Sequence, residues 1–388
     1  MKILIVLLAV VTTLASGTTA YAASAANQAE ASTMTRARAV AIIAANQKIV
    51  SPRGIDETVK VHIGGIDQWL SIHGRDTRNP VLLFLHGGPA SPDMPLAWTY
   101  QSPWWDYFTV VDWDQRGTGK TYASNSEAKM ALGMNIQDMT DDAAQVVQYL
   151  RKRFGKRKIF LLGHSWGTVL GVRLAQRHPD WFYAYIGVSQ VVNARSNERE
   201  GYAFALREAK KHGNAEAVKA LQAIAPYPGP ELTLQRVALR SKWESYYGGM
   251  AWGRKNFAYD ANAWQLSPDY SEKDLAAIGK GSMFSLKYLL KPLLGVNFDA
   301  VTQFRCPVIL FVGAHDETTS HILAEQWFAK LHAPYKRMVI FADSAHMVME
   351  EQPGRFLVHL VDDALPLARK AGDAAPAEVE TGTGVSAR

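Results

Sequence analysis

Apolar positions along this chain follow two rhythms. Segments 59–63 and 68–72 alternate apolar with polar residues, which predicts a pair of half-buried N-terminal strands, whereas 80–85 is one continuous apolar run of the fully buried kind. A further strand is predicted over 108–113, running straight into Asp114-Gln115-Arg116-Gly117. A helix over 136–154 follows, with Ala144, Val147, Tyr149 and Leu150 marking its inner face, then a strand over 158–162 and a helix over 168–177. Strands alternating with helices at this spacing predict an α/β fold, its mostly parallel sheet covered on both faces.

The alternation stops near Gln190. From there to about Val301 helical patterns and aromatic residues dominate, and at 307–312 the strand–helix rhythm resumes, so a helical cap inserted into one α/β core is the simplest organisation. The expected divisions are 1–22, 23–50, a first core part over 51–190, the cap over 191–300, a second core part over 301–370, and 371–388. Lys2, an apolar run from Ile3 to about Leu14, and small residues ending Ala20-Tyr21-Ala22 have the layout of a secretory signal cleaved after Ala22. Thr12, Thr13, Ser16, Thr18 and Thr19 interrupt that run, and a membrane span needs about 20 apolar residues. An exported, periplasmic or extracellular protein without a stable membrane anchor is therefore expected. Residues 23–32 read as a flexible leader, 33–49 as a helix, and 371–388 as a disordered tail without periodicity.

Composition narrows the function classes. A hydrophobic fraction of 48% is enough for a sizeable core. The net charge of +6 is spread over short runs such as Arg151-Lys152-Arg153 that flank a strand, which argues against a nucleic-acid partner because such a surface needs a continuous basic face. Cys306 is the single cysteine, so no internal disulfide can form; it precedes an apolar run and reads as an inert core residue. Gly87-Gly88 and Gly117-Thr118-Gly119 lack the spacing of a phosphate-binding loop. No cofactor or metal is called for, and oligomeric state is not readable.

The candidate chemistry lies in Gly163-His164-Ser165-Trp166-Gly167. A serine hydroxyl is a weak nucleophile unless a base takes its proton and the side chain protrudes toward substrate. A G-x-S-x-G turn between a strand and a helix supplies the protrusion, and in α/β-hydrolases the acid and then the histidine follow the serine along the chain. His346, after the predicted strand 336–341, is the candidate base. Asp316, after the strand 308–312, is the candidate acid that would fix the imidazole tautomer, with Glu317 as its near alternative. The main-chain N–H groups of Gly88 and Trp166 are the candidate oxyanion donors, and His315 reads as structural.

His86-Gly87-Gly88-Pro89, the segment Asp112 to Gly119 and Gly163-His164-Ser165-Trp166-Gly167 together resemble the proline iminopeptidase branch of α/β-hydrolases over roughly residues 80–190 and 305–360. The resemblance implies an enzyme that releases an N-terminal residue, often proline, from peptides, with Ser165, Asp316 and His346 as triad and Asp114–Gly119 shaping the site. It also implies cap glutamates that hold the substrate amine. Trp243-Glu244 resembles one such Trp-Glu element, a solvated helix carboxylate beside Lys242 being the plainer reading, and a second acidic motif has no match. The glycine loop reads Gly-Pro-Ala where the family usually has Gly-Pro-Gly.

Trp243, Tyr246, Tyr247, Trp252, Phe257, Tyr259 and Trp264 crowd the cap and either line an apolar pocket or pack the cap onto the core. The expected function is hydrolysis of a small amide or ester, from a small-molecule or short-peptide substrate, through an acyl-enzyme on Ser165. A carboxylesterase is the alternative within the class, and a non-catalytic binding protein of the same fold the alternative outside it. Serine at the elbow argues against haloalkane dehalogenase or epoxide hydrolase chemistry, which normally uses aspartate there.

Overall fold

The structure is a computed structural model that describes residues 34–230 and 232–376. The expected signal (1–22), leader (23–32) and end of the tail (377–388) lie outside the described residues. The helix predicted over 33–49 is Arg36–Gln47.

Eight strands form one sheet: β1 (Ile55–Ile63), β2 (Ile66–Gly74), β3 (Val81–Leu85), β4 (Thr109–Asp114), β5 (Ile159–His164), β6 (Phe182–Val188), β7 (Val308–Gly313) and β8 (Lys336–Phe341). Their spatial order is β1-β2-β4-β3-β5-β6-β7-β8. β1 and β2 pair as a hairpin and β2 runs antiparallel to β4, while β4 through β8 are parallel. The hairpin closes through Gly64 and Gly65 at φ 55° and 78°, the left-handed pair that a two-residue turn between twisted strands requires.

Every residue of β3 to β7 is buried, and the period-2 pleat divides them between two layers. Leu83, Leu85, Val111, Trp113 and Leu161 pack against Val146, Val147 and Leu150 of the helix Ile136–Arg153 and against Val169 and Leu170 of the helix Trp166–Arg177. Leu82, Phe84, Val110, Phe160 and Leu162 face Trp104, Phe356, Leu360 and Leu365 on the other side. β8 ends the sheet with Lys336 and Arg337 exposed, as an edge strand should.

β6 is absent from the predicted strands. Its run, Phe-Tyr-Ala-Tyr-Ile-Gly-Val, follows a helix after one short turn and has no polar alternation, because both of its faces are covered.

Between β6 and β7 lie the helices Ala194–Lys211, Ala215–Ala223, Leu234–Tyr246, Ala258–Trp264 and Glu272–Leu294. The first three bury a small core of their own around Ala205, Ala209, Ala217, Leu221 and Trp243. Among the described residues no helix is long and apolar enough to cross a membrane.

Cys306 is buried, and burial pushes its thiol up to about 11, far from reactive range. Of the expected unstructured tail, 371–376 are ordered. Asp373 accepts a hydrogen bond from Tyr183 at 3.0 Å and pairs with Lys156, and the Ala375 N–H donates to Asn79, so 371–376 are tied to the core by paired polar groups that composition alone does not reveal.

Candidate active site

Ser165 stands at the turn from β5 into the helix Trp166–Arg177, at φ 52° and ψ −118°, a conformation uncommon for any residue but glycine. The flanking glycines show why the turn is possible. A Cβ on Gly167 would lie 1.9 Å from the Leu85 carbonyl oxygen, and one on Gly163 would lie 2.7 Å from that of Gly167. Ala90 (φ 63°) and Ser189 (φ 51°) also have positive φ, the first on the loop after β3 and the second on the loop after β6. Backbone strain thus gathers around one cavity, as it does at functional sites.

The three triad candidates follow the ends of β5, β7 and β8; Asp316 and His346 meet directly, and Ser165 lines a cavity with Thr319, which bonds to both of them. His346 Nδ1 lies 3.1 Å and 3.0 Å from the two oxygens of Asp316. Asp316 is fully buried and also accepts the N–H groups of Thr318 (3.0 Å) and Thr319 (2.9 Å) and the Thr319 hydroxyl (2.9 Å). Burial by itself pushes the Asp316 carboxyl up, but His346 and the hydrogen bonds from Thr319 and Ser189 outweigh it and hold the carboxyl below its ordinary range. Glu317, the alternative acid, is half-buried and makes no such contact; burial raises it to about 7.

The main chain of His346 is pinned as firmly as its ring. Its carbonyl accepts from the Ser189 hydroxyl (2.9 Å) and from His164 Nε2 (3.0 Å), and its N–H donates to the Met250 carbonyl (3.0 Å).

Gly88, Pro89, Ser165 and Trp166 line one cavity of about 200 Å3. Trp166 is the first residue of its helix, so its N–H has no intrahelical acceptor and faces the ready-made anion site of a helix N-terminus. Gln115 locks this wall. Its amide donates to the His86 carbonyl (3.2 Å), its side-chain oxygen accepts from the Trp166 indole (3.0 Å), and its main-chain N–H donates to His86 Nε2 (3.3 Å). The glycine loop after β3 and the elbow are thereby joined through one side chain of the Asp-Gln-Arg-Gly segment. The neighbouring Asp114, raised to about 7 by burial against the pull of Tyr270, accepts from the Tyr270 hydroxyl and the Lys120 N–H, which ties β4 to the segment that leads into the helix Glu272–Leu294.

Two further buried histidines stay neutral. Burial takes His86 down to about 4 and His164 to about 3, the latter helped by His346. Both sit well below the 6.5 of a free imidazole, so their contribution to stability is present above pH 6.5 and is lost as pH falls through that window toward 3. His164→Gln keeps a donor for the His346 carbonyl but cannot take up a proton. The melting temperature of this variant is expected to fall less steeply between pH 6.5 and 4 than that of the wild type, as differential scanning fluorimetry across pH would read; equal slopes would refute the assignment.

The cap residues fall differently from expectation. Glu244 is fully buried and does not line the cavity; it pairs with Arg240 and accepts the Thr318 hydroxyl. Trp243 packs in the cap's own core. The reason is helical phase: residues one turn apart share a face, and this face of the helix Leu234–Tyr246 turns Arg240 and Glu244 inward together. The carboxylate that does line the cavity is Glu198, held by Arg240 at 2.7 Å and by the Tyr227 hydroxyl. No motif marks Glu198, and its place is visible only once the cap helices are packed.

None of the seven cap aromatics lines this cavity. Its apolar wall is aliphatic, formed by Leu232, Val237, Leu286, Leu290, Leu293 and Leu294. Tyr246, Tyr247 and Trp252 border a separate cavity with His212 and Lys255, and Trp252 stacks on His315 at 3.4 Å. Thr319 and Ser189, which support the acid and the base, also escaped the sequence reading; a threonine three residues after an acidic loop residue is a local cue to Thr319, and Ser189 has none.

Comparison with known proteins gives the class. The chain belongs to the α/β-hydrolase fold family, whose model matches residues 80–353. Within it the chain is proline iminopeptidase-like, and it is an enzyme of the hydrolase class. It is 34% identical to a probable aminopeptidase, YbaC, of Bacillus subtilis over 76% of this chain and 92% of that one. It is 23% identical to the proline iminopeptidase of Saccharolobus solfataricus, over 76% and 88% of the two chains. The crystal structure of a Mycobacterium smegmatis proline iminopeptidase superposes with a TM-score of 0.51 at 18% identity, covering 81% of this chain and all of that one, which speaks to the fold.

Proposed function

We propose that this protein is an exported serine hydrolase that releases the N-terminal residue of a small amide or short peptide through an acyl-enzyme on Ser165. One observation carries the reading: His346 bonded to a buried, low-pKa Asp316, with Ser165 at a strained elbow in a cavity shared with Gly88 and Trp166. Ser165 Oγ attacks the carbonyl carbon while its proton passes to His346 Nε2, and Asp316 stabilises the imidazolium. The oxyanion meets the N–H groups of Gly88 and Trp166. His346 then returns its proton to the leaving amine as the C–N bond breaks, and water reverses the sequence to free the acid and regenerate Ser165.

Glu198 is the carboxylate placed to meet a substrate ammonium, and the similarity to YbaC favours an aminopeptidase. Screening the purified mature protein on aminoacyl-naphthylamides, proline among them, and on p-nitrophenyl esters tests this. Turnover of the free-amine amides is expected, with Glu198→Gln raising KM for them about tenfold, the loss of a charge-assisted hydrogen bond. The aliphatic cavity wall supports a second reading, a carboxylesterase acting on a hydrophobic ester, and turnover of esters alone would favour it. Export rests on the layout of residues 1–22, and an intact Met1 on cytoplasmic protein would overturn it.

A further inference from the structure

The catalytic cavity is joined to the cap by a continuous polar chain. Glu198, in the cavity wall, receives Arg240 Nη2 at 2.7 Å. Arg240, almost fully buried, also pairs with Glu244 one helical turn along. The other oxygen of Glu244 accepts a hydrogen bond from the Thr318 hydroxyl, and the Thr318 N–H donates to Asp316 Oδ1 at 3.0 Å. Two main-chain bonds run beside this chain: the Glu317 N–H donates to the Gly249 carbonyl at 3.1 Å, and that of His346 to the Met250 carbonyl at 3.0 Å. The stretch from Glu244 to Met250 therefore grips both loops that carry the acid and the base.

We propose that Glu244 is a positioning residue that holds the Asp316 loop through Thr318, and not a ligand for the substrate amine. The proposal rests on the serine-hydrolase reading above. Unlike Glu198, Glu244 does not line the cavity and has no exposed surface; one oxygen faces the Arg240 guanidinium and the other accepts the Thr318 hydroxyl. Turning it toward a substrate ammonium would leave the buried Arg240 short of one counter-charge, a costly arrangement in a low-dielectric interior. Thr318 and Thr319 do line the cavity, so the loop that Glu244 steadies is one that substrate touches. A small displacement of Asp316 would misdirect the imidazole while leaving the apolar wall that binds substrate untouched.

Glu244→Gln, Thr318→Val and Thr318→Ser separate the two roles. Each is assayed on a free-amine aminoacyl amide and on an ester that lacks the amine, and for its rate of labelling by a fluorophosphonate, which needs no amine subsite. A positioning role predicts that Glu244→Gln and Thr318→Val lower kcat on both substrates and the labelling rate together, by about ten- to a hundredfold, with KM changed less than about twofold. Thr318→Ser, which keeps the hydroxyl, should restore all three. The proposal is overturned if Glu244→Gln raises KM for the amide alone, or if Thr318→Val labels at the wild-type rate. The valine variant removes one oxygen from a half-buried side chain, so it decides the matter even if the glutamine variant does not fold. Wild-type protein that resists labelling would instead sink the serine-hydrolase reading itself.

Discussion

Ser165→Ala is expected to abolish fluorophosphonate labelling and to lower turnover by about 10^4- to 10^6-fold, the scale seen when a serine nucleophile is removed from a hydrolase. The fold should survive. Alanine at φ 52° carries about the strain that serine already carries, and the elbow is held by neighbours the change does not touch: the Ser165 N–H donates to the Val188 carbonyl at 3.0 Å, and its carbonyl accepts the Thr168 hydroxyl. An unchanged melting temperature with no labelling is thus the expected pair of results. Labelling that persists in the variant would place the nucleophile elsewhere and remove the basis of the proposed mechanism.

The largest expected loss of stability lies away from the cavity, in Arg116. Its guanidinium is almost fully buried and bonds to Asp142 at 2.9 Å and to the Gly64 carbonyl at 2.7 Å. Asp142 also accepts from Gln68 at 2.8 Å, and Gln68 in turn accepts from the Trp113 indole at 2.9 Å, so the pair fastens the β1–β2 hairpin to β4 and to the helix Ile136–Arg153. Burial drives the Asp142 carboxyl upward, opposed first by the hydrogen bond and charge of Arg116. Arg116→Ala should therefore cost about 3–5 kcal/mol in chemical denaturation, because it strands a buried carboxylate. The double change Arg116→Met with Asp142→Leu should recover most of the loss, since two apolar groups of similar volume leave nothing unpaired. A single variant as stable as the wild type would show that water reaches this pair.

These two residues illustrate how motif and mechanism diverge. The Asp-Gln-Arg-Gly segment is the most distinctive part of the resemblance to iminopeptidases, yet its side chains hold the site together instead of meeting substrate. Gln115 joins the glycine loop to the elbow, Arg116 secures the hairpin, and Asp114 reaches Tyr270.

Legibility followed the range of the interactions involved. β8 was read at its observed ends and the helix after the elbow within two residues, because apolar periodicity and turn glycines are local signals. β6 was missed because Tyr183, Ala184, Tyr185 and Gly187 break up the aliphatic run that marks the equally buried β3, β5 and β7. The cap was legible as a helical insertion, but whether its aromatic residues line the pocket or pack the cap was left open. Bulk and apolarity are the same for a pocket side chain as for a packed one, so the leucines of Glu272–Leu294 could not be singled out.

By itself the sequence determined the α/β architecture, the inserted cap, the elbow serine and the chain order of acid and base candidates. Strand periodicity, glycines at forced turns and loop position after each strand are all properties of neighbouring residues. Only the tertiary structure decided which cap carboxylate reaches the cavity. Glu198 and Glu244 lie on different helices and share Arg240, and that Glu198 lines the cavity while Glu244 accepts the Thr318 hydroxyl is a matter of packing across dozens of residues that no local pattern records.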